Sequence, residues 1–196
     1  MAINKGGQAS DRILQSLQEC MEVSPGSLPS AKEIAQNAGV ARSTLYTCFL
    51  DVNDIFLAMG RAEALKRMSS IPTGYIDQSS LSEYFRCSID AYKRIKSYVT
   101  ERGLDREKCR LAKTCFYSGF QSALLIKALK MLESDGRFKH LEVAAGQISS
   151  LCEVACKASD ADGEIDEEYI LSIIDLIIRS LNSNKWSMKV DSSQVE

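Results

Sequence analysis

The sequence predicts an all-α fold. Its 196 residues include only three prolines and eleven glycines, and apolar side chains recur at helical spacing along most of the chain. No alternating run of Val, Ile or Thr reaches the length of a strand. Because 45% of the residues are hydrophobic, we expect a folded protein with a substantial core.

Charge and hydropathy limit the classes of protein that fit. The first ten residues have no apolar segment typical of a signal peptide, and no apolar run approaches the roughly 20 residues of a membrane span. We therefore expect a cytoplasmic protein with no membrane partner. The net charge is −2, and residues 1–67 are neutral overall. Since phosphate binding depends on Lys and Arg, any affinity for DNA should be modest or sensitive to salt.

The seven cysteines are an odd number and show no Cys-x-x-Cys spacing. This distribution predicts neither a disulfide framework nor a metal site. The thiols are interpreted as buried and reduced, with thiol sensing by Cys109 or Cys115 as the alternative.

Apolar periodicity, caps and turns predict eight helices. Capping boxes at Ser30-x-x-Glu33 and Ser80-x-x-Glu83 indicate two of the helix starts, and the turn residues at 70–74 indicate a domain boundary. The predicted helices cover about 11–21, 31–38, 41–49, 51–69, 80–102, 105–134, 141–157 and 166–181. The predicted domains are an N-terminal domain of residues 1–50, a connecting helix of 51–69 and a helical C-terminal domain of 70–196.

The second and third predicted helices have the pattern of a helix-turn-helix. Gly39 lies where the helix of residues 31–38 must end and the chain must turn. In the helix of residues 41–49, Leu45 and Phe49 face inward at positions i and i+4. Their inward orientation leaves polar side chains on the opposite face, which is the face that enters the major groove of DNA in such motifs.

This region resembles the TetR family of transcriptional regulators. The pattern is Ile34-Ala-x-x-Ala-Gly-Val40-x-x-x-Thr-Leu-Tyr46-x-x-Phe49, and the resemblance covers about residues 11–66. It implies a homodimeric repressor that binds a double-stranded, palindromic DNA operator and responds to a small apolar effector, with no cofactor and no enzymatic activity.

The resemblance also implies which residues contact DNA. Tyr46 would donate its hydroxyl to a phosphate, and Arg42 would contact a guanine. The remaining implied contacts are Ser30, Ala31 and Lys32 to phosphate, and Ser43, Thr44 and Thr47 near the base edges. A core ring is the alternative for Tyr46.

Two positions depart from the family pattern. Val52 stands where a phosphate-binding lysine is usual, and Cys48 stands where a ring is common. Together with the neutral N-terminal region, they leave a second hypothesis open. In it, the chain is a helical protein-interaction module that keeps the shape of the N-terminal domain without binding a specific DNA sequence.

The C-terminal domain supplies two further predictions. By the resemblance, four aromatic residues line an effector pocket, with ordinary core packing as the alternative: Tyr84, Tyr92, Phe116 and Phe120. The last helix is apolar around most of its circumference, which predicts either a dimer interface or a fully internal helix. The predicted interface residues are Ile170, Ile173, Ile174, Ile177, Ile178 and Leu181.

Two weaker motifs point to other functions. Residues 160–166 resemble the middle of an EF-hand loop, but the positions of the first and last calcium ligands hold Ala158 and Tyr169, so a connecting loop is the preferred interpretation. The single histidine, His140, has no nearby nucleophile or metal-ligand pattern, which disfavours an enzyme.

Overall fold

The fold is all-α, as the sequence predicts. The computed structural model describes residues 5–23, 28–72, 74–99, 106–136, 140–162 and 167–183, and within them it contains helices and no strand. The α-helices are α1 (Lys5–Val23), α2 (Ala31–Asn37), α3 (Arg42–Cys48), α4 (Val52–Arg67), α5 (Gln78–Val99), α6 (Arg106–Asp135), α7 (Leu141–Asp162) and α8 (Glu167–Ser183). A short 3-10 helix, Met68–Ser70, follows α4.

The predicted capping residue of α5, Ser80, was wrong by three residues. The Asp77 carboxylate accepts the Ser80 N–H at 2.8 Å, and the Ser80 hydroxyl accepts the Asp77 N–H at 3.0 Å. Asp77 is therefore the capping residue, and Ser80 is its reciprocal partner inside the first turn. Glu83, the predicted partner of Ser80, instead accepts hydrogen bonds from Arg86, which lower the pKa of Glu83 to about 2.

Helix α7 is also longer than its apolar pattern predicts. It continues to Asp162 rather than ending near residue 157, so part of the segment interpreted as a loop is helical. Residues 163–166 of that segment lie outside the described residues. Helix α6 ends as expected at Gly136, whose φ of 70° is favoured by glycine and whose N–H donates to the Leu132 carbonyl at 3.2 Å.

Contacts divide the chain into two compact units that are discontinuous in sequence. The first unit contains Met1–Lys66 and Ala91–Ala123, and the second contains Arg67–Asp90 and Leu124–Glu196. Helices α5 and α6 therefore contribute residues to both units. The division into an N-terminal domain, a connecting helix and a C-terminal domain, which the sequence suggests, stays a prediction.

Each unit has its own apolar core. Ile13, Leu17, Ile34, Leu45 and Ile55 are fully buried in the first unit. In the second unit, the buried Tyr84 donates its hydroxyl to the Leu124 carbonyl at 2.9 Å. Burial raises the pKa of Tyr84 well above its ordinary value, and the neighbouring Cys152 and Cys156 raise it further. Among the described residues, no helix is both long and apolar enough to cross a membrane.

Candidate nucleic-acid interface

Helix α1 supports the helix-turn-helix formed by α2 and α3. Ile13 and Leu17 are fully buried on one side of α1. On the same helix, the buried Ser16 hydroxyl donates to the Ile34 carbonyl of α2 at 2.8 Å. Sequence patterning identifies the apolar contacts but not this hydrogen bond, because a serine on an amphipathic helix gives no sign of its partner.

The turn between α2 and α3 is a reverse turn that requires glycine. Gly39 has a φ of 59°, and its N–H donates to the Gln36 carbonyl at 3.1 Å. The next residue, Val40, is half-buried and donates its N–H to the Ala35 carbonyl at 3.0 Å. The turn therefore has hydrogen bonds on both sides of Gly39.

Arg12 fastens this turn to α1, a role that the sequence did not reveal. Its guanidinium donates to the Ala38 carbonyl, and to the Gly39 carbonyl at 3.1 Å. A Cβ atom at Gly39 would lie 2.8 Å from a guanidinium nitrogen of Arg12. Arg12 is one of the seven basic residues among residues 1–67, and its guanidinium stabilises the helix-turn-helix.

Helix α3 separates an inner face from an outer face. Leu45 is fully buried and Phe49 is 7% exposed, as their i, i+4 spacing predicts. The side chains expected to face DNA have the opposite exposure. Arg42, Ser43, Tyr46 and Thr47 are exposed, and Thr44 is half-buried. Tyr46 is 46% exposed, so its ring lies at the surface of the helix rather than in the core.

Two contacts organise the outer face of α3. The Arg42 guanidinium carbon lies 5.9 Å from the centroid of the Tyr46 ring, within the range of a cation–π interaction. The Thr47 hydroxyl donates to the Ser43 carbonyl at 2.9 Å, so its proton is used within the helix. Arg42 and the hydroxyls of Ser43 and Tyr46 are therefore exposed donors that this face can offer to another molecule.

The N-terminus of α2 is capped as the sequence predicts. The Ser30 hydroxyl accepts the Glu33 N–H at 3.3 Å, and the Glu33 carboxylate accepts the Ser30 N–H at 2.7 Å. The Ser30 amide and then the Ser30 hydroxyl lower the pKa of Glu33. The Ser30 N–H is therefore occupied by an ionised carboxylate, while Ala31 is buried and Lys32 is exposed beside it.

The segment after α3 is apolar and acidic. Leu50 is 88% exposed, its N–H donates to the Asp54 carboxylate at 3.1 Å, and the Asp51 carboxylate accepts the Asp54 N–H at 2.9 Å. Val52 is half-buried, and the sequence has no Lys or Arg from residue 43 to residue 60. Residues 43–60 therefore offer no cationic side chain to a phosphate.

The four aromatic residues predicted to line an effector pocket are all buried. Tyr92, Phe116 and Phe120 belong to the first unit, and Tyr84 belongs to the second. The Tyr92 and Phe120 rings lie 5.8 Å apart, and the Phe116 ring lies 5.2 Å from that of Phe56. These contacts fit either ordinary core packing or the wall of a pocket, so the effector site remains a proposal.

Helix α8 is buried on one side and exposed on the other. Of the predicted interface residues, Ile173, Ile174, Ile177 and Leu181 are buried within a single chain, whereas Ile170 and Ile178 are half-buried. The exposed apolar side chains of α8 are Tyr169, Leu171 and Leu176. A groove of about 600 Å³ lies between α7 and α8, with Val143, Gly146 and Leu176 among its lining residues.

The remaining candidates for reactive or metal-binding side chains are cysteines and the histidine. Burial raises the pKa of the Cys115 thiol, which disfavours a reactive thiolate, and the side chain of Cys109 lies outside the described residues. His140 is exposed. Within the part of the chain that the structure describes, no three His, Cys, Asp or Glu side chains form a group able to hold a metal ion.

Solved structures resemble this chain over nearly its whole length. The flavonoid-responsive regulator FrrA superposes with a TM-score of 0.53 at 20% sequence identity, over 90% of this chain and 96% of FrrA. The chain shares the fold of this regulator.

Two further regulators give lower scores. FadR from Bacillus subtilis, solved with stearoyl-CoA, has a TM-score of 0.40 at 15% identity, over 89% of this chain and 98% of FadR. A candidate TetR-family regulator from Mesorhizobium loti also has a TM-score of 0.40, at 12% identity, over 92% of this chain and 98% of its own. Neither a protein-family model nor a curated protein sequence matches the chain.

Proposed function

We propose that this chain is a TetR-like transcriptional regulator, acting as a ligand-responsive repressor rather than as an enzyme. The observation that carries the proposal is the outer face of α3. Its polar side chains are exposed, whereas Leu45 and Phe49 are buried against the supporting helices. Because α3 follows a glycine turn of the helix-turn-helix type, this face is the one that enters a major groove.

Specific binding requires base contacts as well as phosphate contacts. Arg42 lies in the first turn of α3, where recognition helices approach the base edges, and its guanidinium matches the two acceptors of guanine. Tyr46 lies one turn later, exposed and beside Arg42, with its hydroxyl available to a phosphate. Lys32 adds a cation at the start of α2.

We also propose that the regulator is a homodimer that reads a palindromic operator through two copies of α3. The groove between α7 and α8 suits a second copy, since Val143 is 60% exposed and Leu176 is 57% exposed at its walls. Apolar side chains of this size at a groove are typical of homodimer interfaces. The buried isoleucines of α8 would support this surface from within.

The effector is proposed to be a small apolar molecule that binds among the aromatic residues of α5 and α6. The buried rings of Tyr92, Phe116 and Phe120 provide apolar surface of the kind that lines ligand pockets. FrrA is described as flavonoid-responsive, and flavonoids have aromatic rings that could stack on aromatic side chains. A flavonoid is therefore a sensible first compound to test, by analogy of fold alone.

The alternative is a helical protein-interaction module. Its specific support is the apolar and acidic segment beside α3, where Leu50 is 88% exposed and no basic residue follows Arg42 for 18 positions. Such a surface suits a protein partner better than a polyanion.

A fluorescence-anisotropy titration separates the two hypotheses. The probe is a labelled duplex from the region upstream of the protein's own gene, with an unrelated duplex of equal length as the control. A regulator binds the first duplex more tightly, and its affinity falls with salt along a shallow slope because it makes few phosphate contacts. Equal binding, or none, to the two duplexes favours the interaction module.

A further inference from the structure

The compact unit that contains the helix-turn-helix is basic, although the helix-turn-helix region itself is not. The sequence of the first unit has 14 Lys and Arg against 10 Asp and Glu, whereas that of the second has 10 against 16. Residues 1–66 contribute a net charge of −1, so the excess comes from residues 91–123, whose net charge is +5. These residues include the end of α5 and the first part of α6.

Four cationic side chains of this stretch form one surface along α5 and α6. The Tyr92 ring of α5 lies 5.3 Å from the Tyr117 ring of α6, so the two helices lie side by side there. Each tyrosine has a lysine four residues away on the same helix face, Lys96 on α5 and Lys113 on α6. Both steps lead toward the end of α5 and the start of α6, so the two lysines lie on the same side of the tyrosine contact. The basic surface consists of Lys93, Lys96, Arg110 and Lys113.

The basic surface has one sign of charge. The sequence has no Asp or Glu in residues 91–100 or 108–132. Lys93, Arg110 and Lys113 are exposed, and Lys96 is half-buried. Like charges three residues apart on a helix repel each other, as Arg110 and Lys113 do, and an anionic partner would relieve this repulsion.

A neighbouring cation attaches this part of α5 to the helix-turn-helix. The Arg94 guanidinium forms an ion pair with Glu22 near the end of α1, the helix that supports α2 and α3. The basic surface therefore belongs to the same compact unit as the face that carries Arg42 and Tyr46.

DNA is the polyanion that this unit meets in the proposed function. Phosphate binding depends on Lys and Arg and does not depend on the base sequence. The helix-turn-helix region is close to neutral, and residues 43–60 offer no cation. The basic surface supplies the phosphate attraction that the helix-turn-helix lacks.

We propose that the basic surface is a second DNA-binding surface, which contacts the phosphate backbone of the duplex that flanks the site read by α3. Its contacts are independent of sequence, because phosphates are the same at every base pair. This inference rests on the proposed function and adds to it a surface outside the helix-turn-helix.

The test compares Lys113→Gln and the double variant Arg110→Gln/Lys113→Gln with the control Lys130→Gln. Lys130 is an exposed cation farther along α6, in the second unit. Each protein is titrated at several salt concentrations with two duplexes. One is the site selected by the wild type, and the other is the same site extended by two helical turns of unrelated sequence on each side.

We expect the wild type to bind the extended duplex more tightly than the short one. In the double variant this advantage should fall about tenfold or more, and the slope of log affinity against log salt should become shallower by about two, because two phosphate contacts are lost. Lys113→Gln alone should change the slope by about one. The control variant should match the wild type on both duplexes, and all variants should keep the wild-type affinity for the short duplex.

A second double variant separates charge from packing. Arg110→Lys/Lys113→Arg keeps both charges and should keep the wild-type preference for the extended duplex. A circular-dichroism melt shows whether each variant is folded. If the double glutamine variant does not fold, Lys113→Gln alone decides between the outcomes.

Three results would overturn the inference. A wild type that binds both duplexes with equal affinity, or folded glutamine variants that keep its preference, would leave the proposed function intact and remove the second surface. Binding of the wild type to phosphatidylglycerol vesicles that is lost in the variants, with DNA binding unchanged, would assign the surface to a membrane instead. A wild type that binds neither duplex would overturn the proposed function together with the inference.

Discussion

At the scale of single residues, the outer face of α3 carries the specificity that we propose. Its composition was predictable, because the inward positions Leu45 and Phe49 fix which side chains remain outside. The contacts that each hydrogen-bond donor makes could not be predicted from the sequence. The Thr47 hydroxyl donates to the Ser43 carbonyl, and the Arg42 guanidinium lies over the Tyr46 ring. Spacing along the chain specifies neither contact.

Replacing Tyr46 by Phe should weaken binding to all DNA sequences by the same factor. The change removes one phosphate hydrogen bond per copy of α3, which we expect to cost about 1–2 kcal/mol. Because the ring is 46% exposed, thermal stability should not change. The measurement is anisotropy against specific and unrelated duplexes, together with a thermal melt.

Tyr169→Phe is the matched control, since it makes the same change on a ring that is 42% exposed on α8. If Tyr46→Phe bound all duplexes like this control, Tyr46 would have no role in contacting DNA.

At the scale of elements, the sequence predicted which segments are helical better than it predicted where the helices end or which hydrogen bonds join them. Apolar periodicity indicated the eight α-helices found in the described part of the chain. The start of α5 was misplaced because Ser80-x-x-Glu83 fits the same cap pattern as the actual pair of Asp77 and Ser80. The fastening of the turn by Arg12 was missed because its partners are backbone carbonyls 26 and 27 residues away.

Replacing Arg12 by Met should loosen the helix-turn-helix. The substitution keeps an unbranched apolar stem but removes the guanidinium that donates to the Ala38 and Gly39 carbonyls. We expect the free energy of unfolding to fall by about 1–2 kcal/mol, at the low end for charged hydrogen bonds because Arg12 is exposed. Urea unfolding followed by circular dichroism measures this change.

Arg110→Met on the exposed side of α6 makes the same substitution away from the turn and should be close to neutral. Equal stability of the two variants would show that the Arg12 contacts contribute nothing to the motif.

At the scale of the whole molecule, the proposed mechanism depends on a dimer. Because α8 is apolar around most of its circumference, the sequence predicted that one face is internal and another forms an interface. The structure shows which apolar side chains of α8 are buried and which are exposed. Ile174 is fully buried within a single chain, so Ile174→Glu should disrupt the packing of α8 rather than separate subunits. Leu176, which is 57% exposed at the groove with α7, is the informative position.

Leu176→Glu should convert the dimer to a folded monomer, because a carboxylate without a partner would be buried in the interface, at a cost of several kcal/mol. Leu171→Glu is the control, since Leu171 is exposed on the same helix but does not line the groove. Sedimentation velocity measures the oligomeric state of both. A Leu176→Glu protein that sediments like the wild type would remove the groove from the interface.

Selection of binding sites from random double-stranded DNA measures whether α3 reads a specific, palindromic sequence. Wild-type protein should enrich an inverted repeat whose half-sites are centred about 34–36 Å apart, one helical turn of DNA. Arg42→Ala should enrich the same repeat with one guanine position relaxed in each half-site, since a bidentate contact discriminates bases by roughly 1–3 kcal/mol. Folded wild-type protein that enriches no sequence would contradict specific DNA binding and favour the protein-interaction module.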